Sequence, residues 1–154
     1  PALEAQQKGY DQVMWTEAPD FKKIQEIGTM NIFFVLNGKV VTPKTDGAIL
    51  KGITRKSIID ILRSKNIEVE ERDIMIDELV EAHNNGQLSE AFGAGTAAVV
   101  SQVELIAYGD HKMQLDIANA KVSTEVKATI EGLRYGEIED TFDWIEAVRS
   151  LEMA

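Results

Sequence analysis

Two short segments carry glycines and hydroxyls in patterns that suit the binding of an anion. Gly-Ile-Thr at residues 52–54 precedes a helical pattern, so unpaired backbone amides and the positive end of a helix dipole would point outward there. Gly-Ala-Gly-Thr-Ala-Ala at residues 93–98 has side chains small enough for a ligand to approach the backbone closely. Each segment alone also fits an ordinary role, the first as a helix cap and the second as a bend between strands. Together they predict two places where a phosphate group could bind.

Glu26 is a carboxylate that could complete such a site. It opens the string Glu-Ile-Gly-Thr-Met-Asn at residues 26–31, directly before an apolar stretch. On the surface it would be an ordinary solvated residue at the start of a strand. In an apolar pocket the carboxylate would need a cationic partner to stay ionised. A cationic heterocycle would serve as such a partner.

A hairpin is the strongest local signal among the elements that must position these residues. Residues 30–36 form a continuous apolar run, which is followed by Asn37-Gly38 and a second apolar stretch over residues 39–42. Asn-Gly accepts the positive φ angles of a type I′ turn. The pattern therefore predicts two antiparallel strands that are buried on at least one face.

Helical spacing is clearest after the first glycine segment. Ile58, Ile61 and Leu62 fall on one face of a helix predicted over residues 54–64, with Thr54 as its N-cap residue. Further helices are predicted over residues 1–8, 77–84 and 122–134, the last capped by Ser123, and further strands over residues 12–16, 67–74, 88–92, 97–108 and 112–115. The mixture predicts an α/β fold without an internal repeat.

Length and composition indicate one folded domain. The 154 residues suffice for a single core, and a net charge of −10 with scattered Lys and Arg argues against a nucleic-acid partner. No apolar run approaches the roughly 20 residues that span a bilayer, and no signal peptide is visible, so we expect a cytoplasmic protein without a membrane partner. Cysteine is absent and the two histidines, His83 and His111, lack the spacing of metal ligands, so no metal site is predicted.

Taken in order, these motifs resemble those of the branched-chain amino acid aminotransferases, which are pyridoxal-phosphate enzymes of fold type IV. The resemblance covers essentially the whole chain and runs through residues 9–13, 26–31, 51–55, 92–98, 134–136 and 139–144. It implies mixed sheets in a pseudo-barrel with surrounding helices. It also implies pairing of the pyridine nitrogen with Glu26, binding of the phosphate by Ile53, Thr54 and Thr96, and contact of the substrate with Thr29 and Ala97.

The resemblance further implies an activity. Such enzymes exchange the amino group between branched-chain amino acids and 2-oxoglutarate, so the expected small-molecule partners are an amino acid and a 2-oxo acid. The intact enzyme is expected to be a homodimer. The family's covalent lysine and its small N-terminal domain would lie upstream of Pro1. We therefore expect residues 1–154 to be a C-terminal cofactor-binding domain that carries no catalytic residue and is inactive alone.

Three alternatives stay open at the level of sequence. A D-amino acid aminotransferase or an aminodeoxychorismate lyase would share the fold and similar cofactor anchors. A binding module that kept the fold and lost catalysis would share them too. The string Gly-Thr-Met-Asn at residues 28–31 favours the branched-chain group.

Overall fold

A seven-stranded sheet lies at the centre of the computed structural model, which describes residues 1–18 and 20–146. The elements in chain order are α1 (Ala2–Gln7), β1 (Met14–Thr16), β2 (Ile24–Ile27), β3 (Met30–Leu36), β4 (Lys39–Pro43), α2 (Ile53–Ser64), β5 (Val69–Arg72), α3 (Ile76–Asn84), β6 (Leu88–Gly95), β7 (Val99–Gln102), β8 (Leu105–Tyr108), β9 (His111–Gln114), a short 3-10 helix (Ile117–Asn119) and α4 (Val122–Tyr135). The predicted α/β class is confirmed. No helix of the described residues is long and apolar enough to cross a membrane.

Strand β3 pairs with three other strands. β6 runs antiparallel along one edge, where Asn31 lies opposite Ala94 and Phe34 opposite Ala91. The other edge is shared, with β2 pairing at the start of β3 and β4 pairing at its end. Between these two partners the hydroxyl of Thr42 donates to the carbonyl oxygen of Ile32 at 2.8 Å. β5 then extends the sheet by pairing in parallel with β4.

Alternate side chains of β3 enter two separate cores. Phe33 and Val35 pack with α2 and α4, and Phe33 stacks on Phe92 of β6 with ring centroids 5.1 Å apart. Ile32 and Phe34 pack on the opposite face with α3 and the β8–β9 hairpin. Burial on both faces explains why this strand is apolar throughout rather than alternating.

The predicted turn between β3 and β4 is confirmed. Asn37 and Gly38 have φ angles of 51° and 78°, as a type I′ turn requires. The turn fixes the register in which Phe34 lies opposite Val41. Local chemistry therefore specifies the turn, while pairing with β6 and packing in two cores bury the strands.

Two helix caps differ from the prediction. Helix α2 begins at Ile53 with Gly52 as its N-cap residue, so Thr54 lies inside the first turn and the predicted cap is wrong. In α4 the N-cap position belongs to Lys121, and Ser123 is a buried residue of the first turn. Neither N-cap residue makes a capping hydrogen bond with its own side chain.

Helix α4 is capped instead by Glu90 of β6. One oxygen of this buried carboxylate accepts from the amides of Lys121 and Val122 at 2.9 and 2.8 Å. The other accepts from the amide and the hydroxyl of Ser123 at 2.9 and 2.7 Å. A carboxylate is well suited to unpaired amides at the positive end of a helix. This contact joins the helix to the sheet.

Three predicted strands have different bounds. The strand predicted over residues 97–108 is two strands, because β7 belongs to the central sheet and β8 pairs with β9 in a separate hairpin. The strand predicted over residues 67–74 is limited to β5. Strand β6 is longer than predicted and continues through Gly93 and Gly95, so the turn after it is formed by residues 96–98.

Replacement of Glu90 tests the cap supplied by the sheet. Glu90→Ala leaves the first amides of α4 buried without their acceptor, so we expect the free energy of unfolding to fall by about 3 kcal/mol. Chemical denaturation with far-UV circular dichroism measures this loss. The control is Glu81→Ala on the exposed side of α3, which should change stability by about 0.5 kcal/mol or less. Equal effects of the two variants would contradict the role of Glu90.

Candidate functional site

The N-terminus of α2 presents its first backbone amides at one end of the sheet. Gly52 has a φ angle of 59°, which lets the chain turn from the loop after β4 into the helix. Ile53 is 88% exposed and Thr54 is half-buried, so the first turn stays accessible. The amides of a first helical turn have no partner within the helix, and they are available to an anion.

The turn after β6 lies beside this helix end. Residues 96–98 form a tight turn between β6 and β7 and are exposed. Ile53, Thr54 and Thr96 line one cavity of about 610 Å³, together with residues of α4 and of the segment around Trp144. The two segments that the sequence marks as anion sites therefore open into the same space.

The two glycines of β6 have a different role from the expected one. Their missing side chains make room for Met30 of the neighbouring strand rather than for a ligand. A Cβ atom on Gly93 would lie 2.9 Å from Cε of Met30, and one on Gly95 would lie 3.0 Å from its Cγ. Thr96 and the turn that follows are thus the accessible part of this segment.

Glu26 is linked to the start of α2 through Asn31. Glu26 of β2 lies directly opposite Asn31 of β3 in the antiparallel pair. Nδ2 of Asn31 lies 3.4 Å from Oε1 of Glu26 and donates to the carbonyl oxygen of Leu50 at 2.8 Å. A Cβ atom on Gly52 would overlap with Oδ1 of Asn31. One buried amide group thus touches both the carboxylate and the backbone that enters the helix.

The other predicted site residues lie outside the lining of the cavity that Ile53, Thr54 and Thr96 share. Thr29 is exposed in the turn between β2 and β3, and Ala97 is exposed in the turn after β6. Glu26, Thr29 and Ala97 are not among the described residues that line the 610 Å³ cavity. The structure brings Ile53, Thr54 and Thr96 into one cavity and connects Glu26 to it indirectly.

Arg55 is a buried cation that the sequence analysis did not single out. Its Nη2 atom donates to the carbonyl oxygen of Pro43 at 2.9 Å and to the carboxylate of Glu71 at 3.0 Å. Its Nε atom has no hydrogen-bond partner within the described residues. These contacts tie the first turn of α2 to the ends of β4 and β5. The neighbours of Arg55 in sequence, Thr54 and Lys56, are polar as well, so no local pattern marks this arginine as buried.

Lys23 of the loop before β2 fastens the chain that leads into α2. Its ammonium group lies 2.6 Å from Glu17 and 3.3 Å from Asp46, and Asp46 belongs to the loop between β4 and α2. The hydrogen bond to Glu17, followed by that to Asp46, raises the pKa of Lys23 to about 12. The charged lysine thus links the loop before β2 to the loop that leads into α2.

A carboxylate also orders the segment that covers the cavity. Asp140 accepts from the backbone amides of Phe142, Trp144 and Ile145 at 3.0, 2.6 and 2.7 Å. These bonds, led by that of Ile145, hold the pKa of Asp140 below its usual value. Trp144 stacks on Phe142 with ring centroids 4.3 Å apart and lines the cavity with Thr54 and Thr96. An indole ring thus lies in the wall of the candidate site.

Comparisons with known proteins identify the family and the fold of the chain. The model of the amino-transferase class IV family matches residues 1–106. The chain belongs to this class IV family. The probable branched-chain-amino-acid aminotransferase of Staphylococcus epidermidis is 45% identical over 141 residues, which are 91% of this chain and 39% of that protein. This confirms the resemblance drawn from the motifs. The class IV chain thus spans about two-fifths of the length of the relatives it matches.

Solved structures share the fold of this class IV chain. A branched-chain amino acid aminotransferase from Escherichia coli superposes with a TM-score of 0.76 at 28% identity, covering 94% of this chain and 45% of that one. The branched-chain amino acid aminotransferase from Thermobaculum terrenum in its PLP form superposes with a TM-score of 0.72 at 27% identity, covering 89% and 41%. The expected fold of fold type IV aminotransferases is confirmed.

The contact between Gly52 and Asn31 can be tested by stability alone. Gly52→Ala forces a Cβ atom against Asn31 and also strains a positive φ angle. Gly86→Ala strains a similar φ angle of 69° but meets no atom within 4 Å. We expect Gly52→Ala to lower the free energy of unfolding by about 2 kcal/mol more than Gly86→Ala does, because only the first adds a clash.

The same pair of variants in an Asn31→Ala background gives the control. Removal of the Asn31 side chain removes the overlap and leaves only a 3.3 Å contact with Cβ of Arg55, so the difference in destabilisation between the two glycine replacements should largely disappear. Denaturant unfolding measures all of these values. If Gly52→Ala and Gly86→Ala lowered the free energy of unfolding equally in the chain that retains Asn31, Gly52 would not be packed against Asn31.

Proposed function

We propose that residues 1–154 form the cofactor-binding part of a pyridoxal-phosphate-dependent branched-chain amino acid aminotransferase. The activity assigned to the whole protein is exchange of the amino group of leucine, isoleucine or valine with 2-oxoglutarate. Family membership supports transamination, and the similarity to enzymes named for branched-chain amino acids supports the substrate class. The observation that carries the assignment to this chain is the single cavity shared by Ile53, Thr54 and Thr96.

The phosphate of the cofactor is assigned to the helix end of this cavity. The amide of Ile53 lies in the first turn of α2, where the helix dipole favours negative charge. The hydroxyls of Thr54 and Thr96 can donate to the remaining phosphate oxygens. These groups fit a dianion because they supply donors from two separate elements to one space. Binding by local donors also suits a chain whose net charge is −10.

The ring of the cofactor is assigned to Glu26. When bound, pyridoxal phosphate supplies an electron sink for the carbanion at the α-carbon of the amino acid. Glu26 would pair with the protonated pyridine nitrogen and keep the proton there. The nearby amide of Asn31 fits an ionised carboxylate, since it donates rather than accepts. This chain thereby tunes the ring without touching the bond that breaks.

The rest of the reaction is assigned to groups outside residues 1–154. No catalytic residue is assigned to this chain, and the covalent lysine and a small N-terminal domain are assigned to the longer protein. Thr29 and Ala97 would contact the substrate from two exposed turns. A cytoplasmic homodimer is proposed for the intact enzyme.

Binding of the cofactor tests the assignment of the phosphate site. We expect pyridoxal 5′-phosphate to quench the fluorescence of Trp144 in a Trp15→Phe chain, because Trp144 lines the proposed pocket. Thr54→Val and Thr96→Val should each raise the Kd by about tenfold, since each removes a hydrogen bond to a charged group. Thr129→Val is the control, because that hydroxyl donates to the backbone of its own helix. An equal Kd for all four chains would contradict the site.

Substrate preference tests the assigned reaction. In the protein that contains these residues, we expect turnover with L-leucine, L-isoleucine and L-valine and 2-oxoglutarate, at least about tenfold faster than with D-alanine, a difference of about 1.4 kcal/mol in the barrier. The chain of residues 1–154 alone should show no turnover with leucine and 2-oxoglutarate. Formation of the 2-oxo acid derived from each amino acid, separated by chromatography, measures all of these rates.

The outcomes of this assay separate the alternatives. Preference for D-alanine would favour a D-amino acid aminotransferase, and release of pyruvate from aminodeoxychorismate would favour the lyase. Binding of the cofactor without any turnover by the containing protein would favour a binding module. Turnover by residues 1–154 alone would contradict the placement of the lysine outside them.

A further inference from the structure

We propose that Asn31 is a positioning residue that holds the Glu26 carboxylate and the phosphate-binding helix end at a fixed separation. The inference rests on the proposed function and adds a residue to it. Asn31 is only 6% exposed and is one of few buried polar side chains among the described residues. A buried amide is costly unless its donors are used, so its contacts indicate its role.

The amide group of Asn31 touches both ends of the proposed cofactor site. Nδ2 donates to the carbonyl oxygen of Leu50 at 2.8 Å, which is an ordinary hydrogen bond. The same atom lies 3.4 Å from Oε1 of Glu26, a longer contact that orients the carboxylate without holding it tightly. Leu50 lies two residues before Gly52, the N-cap residue of α2. Asn31 thus connects the acid directly to the backbone that enters the helix.

Glycine at position 52 completes this arrangement. A Cβ atom at this position would overlap with Oδ1 of Asn31, so any larger residue would displace the amide or the helix start. The donor side of the amide therefore contacts Leu50 and Glu26, while its acceptor side packs against the backbone of Gly52. Close approach on both sides leaves the helix end little freedom to shift relative to Glu26.

The residue type at position 31 is explained by the charge of its neighbour. Aspartate would have nearly the same shape but no donor, and it would place a second negative charge beside Glu26. Leucine would leave the carboxylate without an amide donor. Asparagine gives a neutral donor within reach of the Glu26 carboxylate, without adding a charge beside it.

A double-mutant cycle distinguishes positioning from a purely structural role. The Kd of pyridoxal 5′-phosphate is measured for the unchanged chain, Asn31→Ala, Glu26→Gln and the double variant, with Trp144 fluorescence in the Trp15→Phe background as the signal. If Asn31 positions Glu26 as well as the helix end, its removal should weaken binding by about tenfold when Glu26 is intact and by only about threefold in the Glu26→Gln background, where the lost bond to Leu50 is the remaining effect. A structural role would give the same factor in both backgrounds.

Ser123→Ala is the matched control for stability. It also removes a buried hydrogen bond, that of the Ser123 hydroxyl to Glu90, but in the first turn of α4. The midpoint of thermal unfolding of Ser123→Ala should fall by about as much as that of Asn31→Ala. Its Kd for pyridoxal 5′-phosphate should nevertheless stay within about twofold of that of the unchanged chain. This control separates the loss of a buried hydrogen bond from the loss of the one beside Glu26.

Each result of the cycle decides the inference. Equal losses in both backgrounds, or no loss from Asn31→Ala, would overturn the role of Asn31 and leave the proposed function intact. Failure of the unchanged chain to bind pyridoxal 5′-phosphate at millimolar concentration would overturn both. A clearly larger loss in chains that retain Glu26 than in those that lack it, with a normal Kd for Ser123→Ala, is the result we expect.

Discussion

Burial of β3 on both faces is the constraint on which the rest of the structure depends. Its alternate residues enter two cores, so α2 and α4 must lie on one face and α3 with the β8–β9 hairpin on the other. Register along the strand is strongly specified, because a shift by one residue would exchange the two sets of side chains. The positions of Glu26, which faces Asn31, and of the turn after β6 are therefore set by the core.

The divided edge of β3 explains where the candidate site can form. β2 pairs only with its start and β4 only with its end, so the loop from β4 into α2 can return to the point where the two partners separate. Asn31 lies there and bonds to Leu50 of that loop. A sheet with an unbroken edge at this point would leave no place for a helix end beside Glu26. Packing and site are thus consequences of one pairing pattern.

Local patterns were enough to predict much of the fold and to mark two segments that line one cavity. The Asn37-Gly38 hairpin, the buried stripe of α2 and the glycine-containing segments at residues 52–54 and 93–98 depend on residues close in sequence, so they could be recognised there. The cap of α4 could not, because Glu90 lies about 30 residues before the amides it binds. The glycines of β6 were assigned to a ligand although Met30 of another strand occupies their space. Such contacts depend on strand register, which a single sequence does not display.

The negative charge of the chain bears on how a phosphorylated ligand can be held. With a net charge of −10, long-range attraction does not bring a dianion to the surface, so binding must depend on donors in direct contact. Helix amides and threonine hydroxyls act only at hydrogen-bond distance, and salt screens them little. Arg55 adds positive charge at the first turn of α2, but Glu71 balances it. Affinity at the proposed site would therefore depend on how accurately the helix end is positioned, and that position depends on Gly52, Asn31 and the strand that carries Asn31.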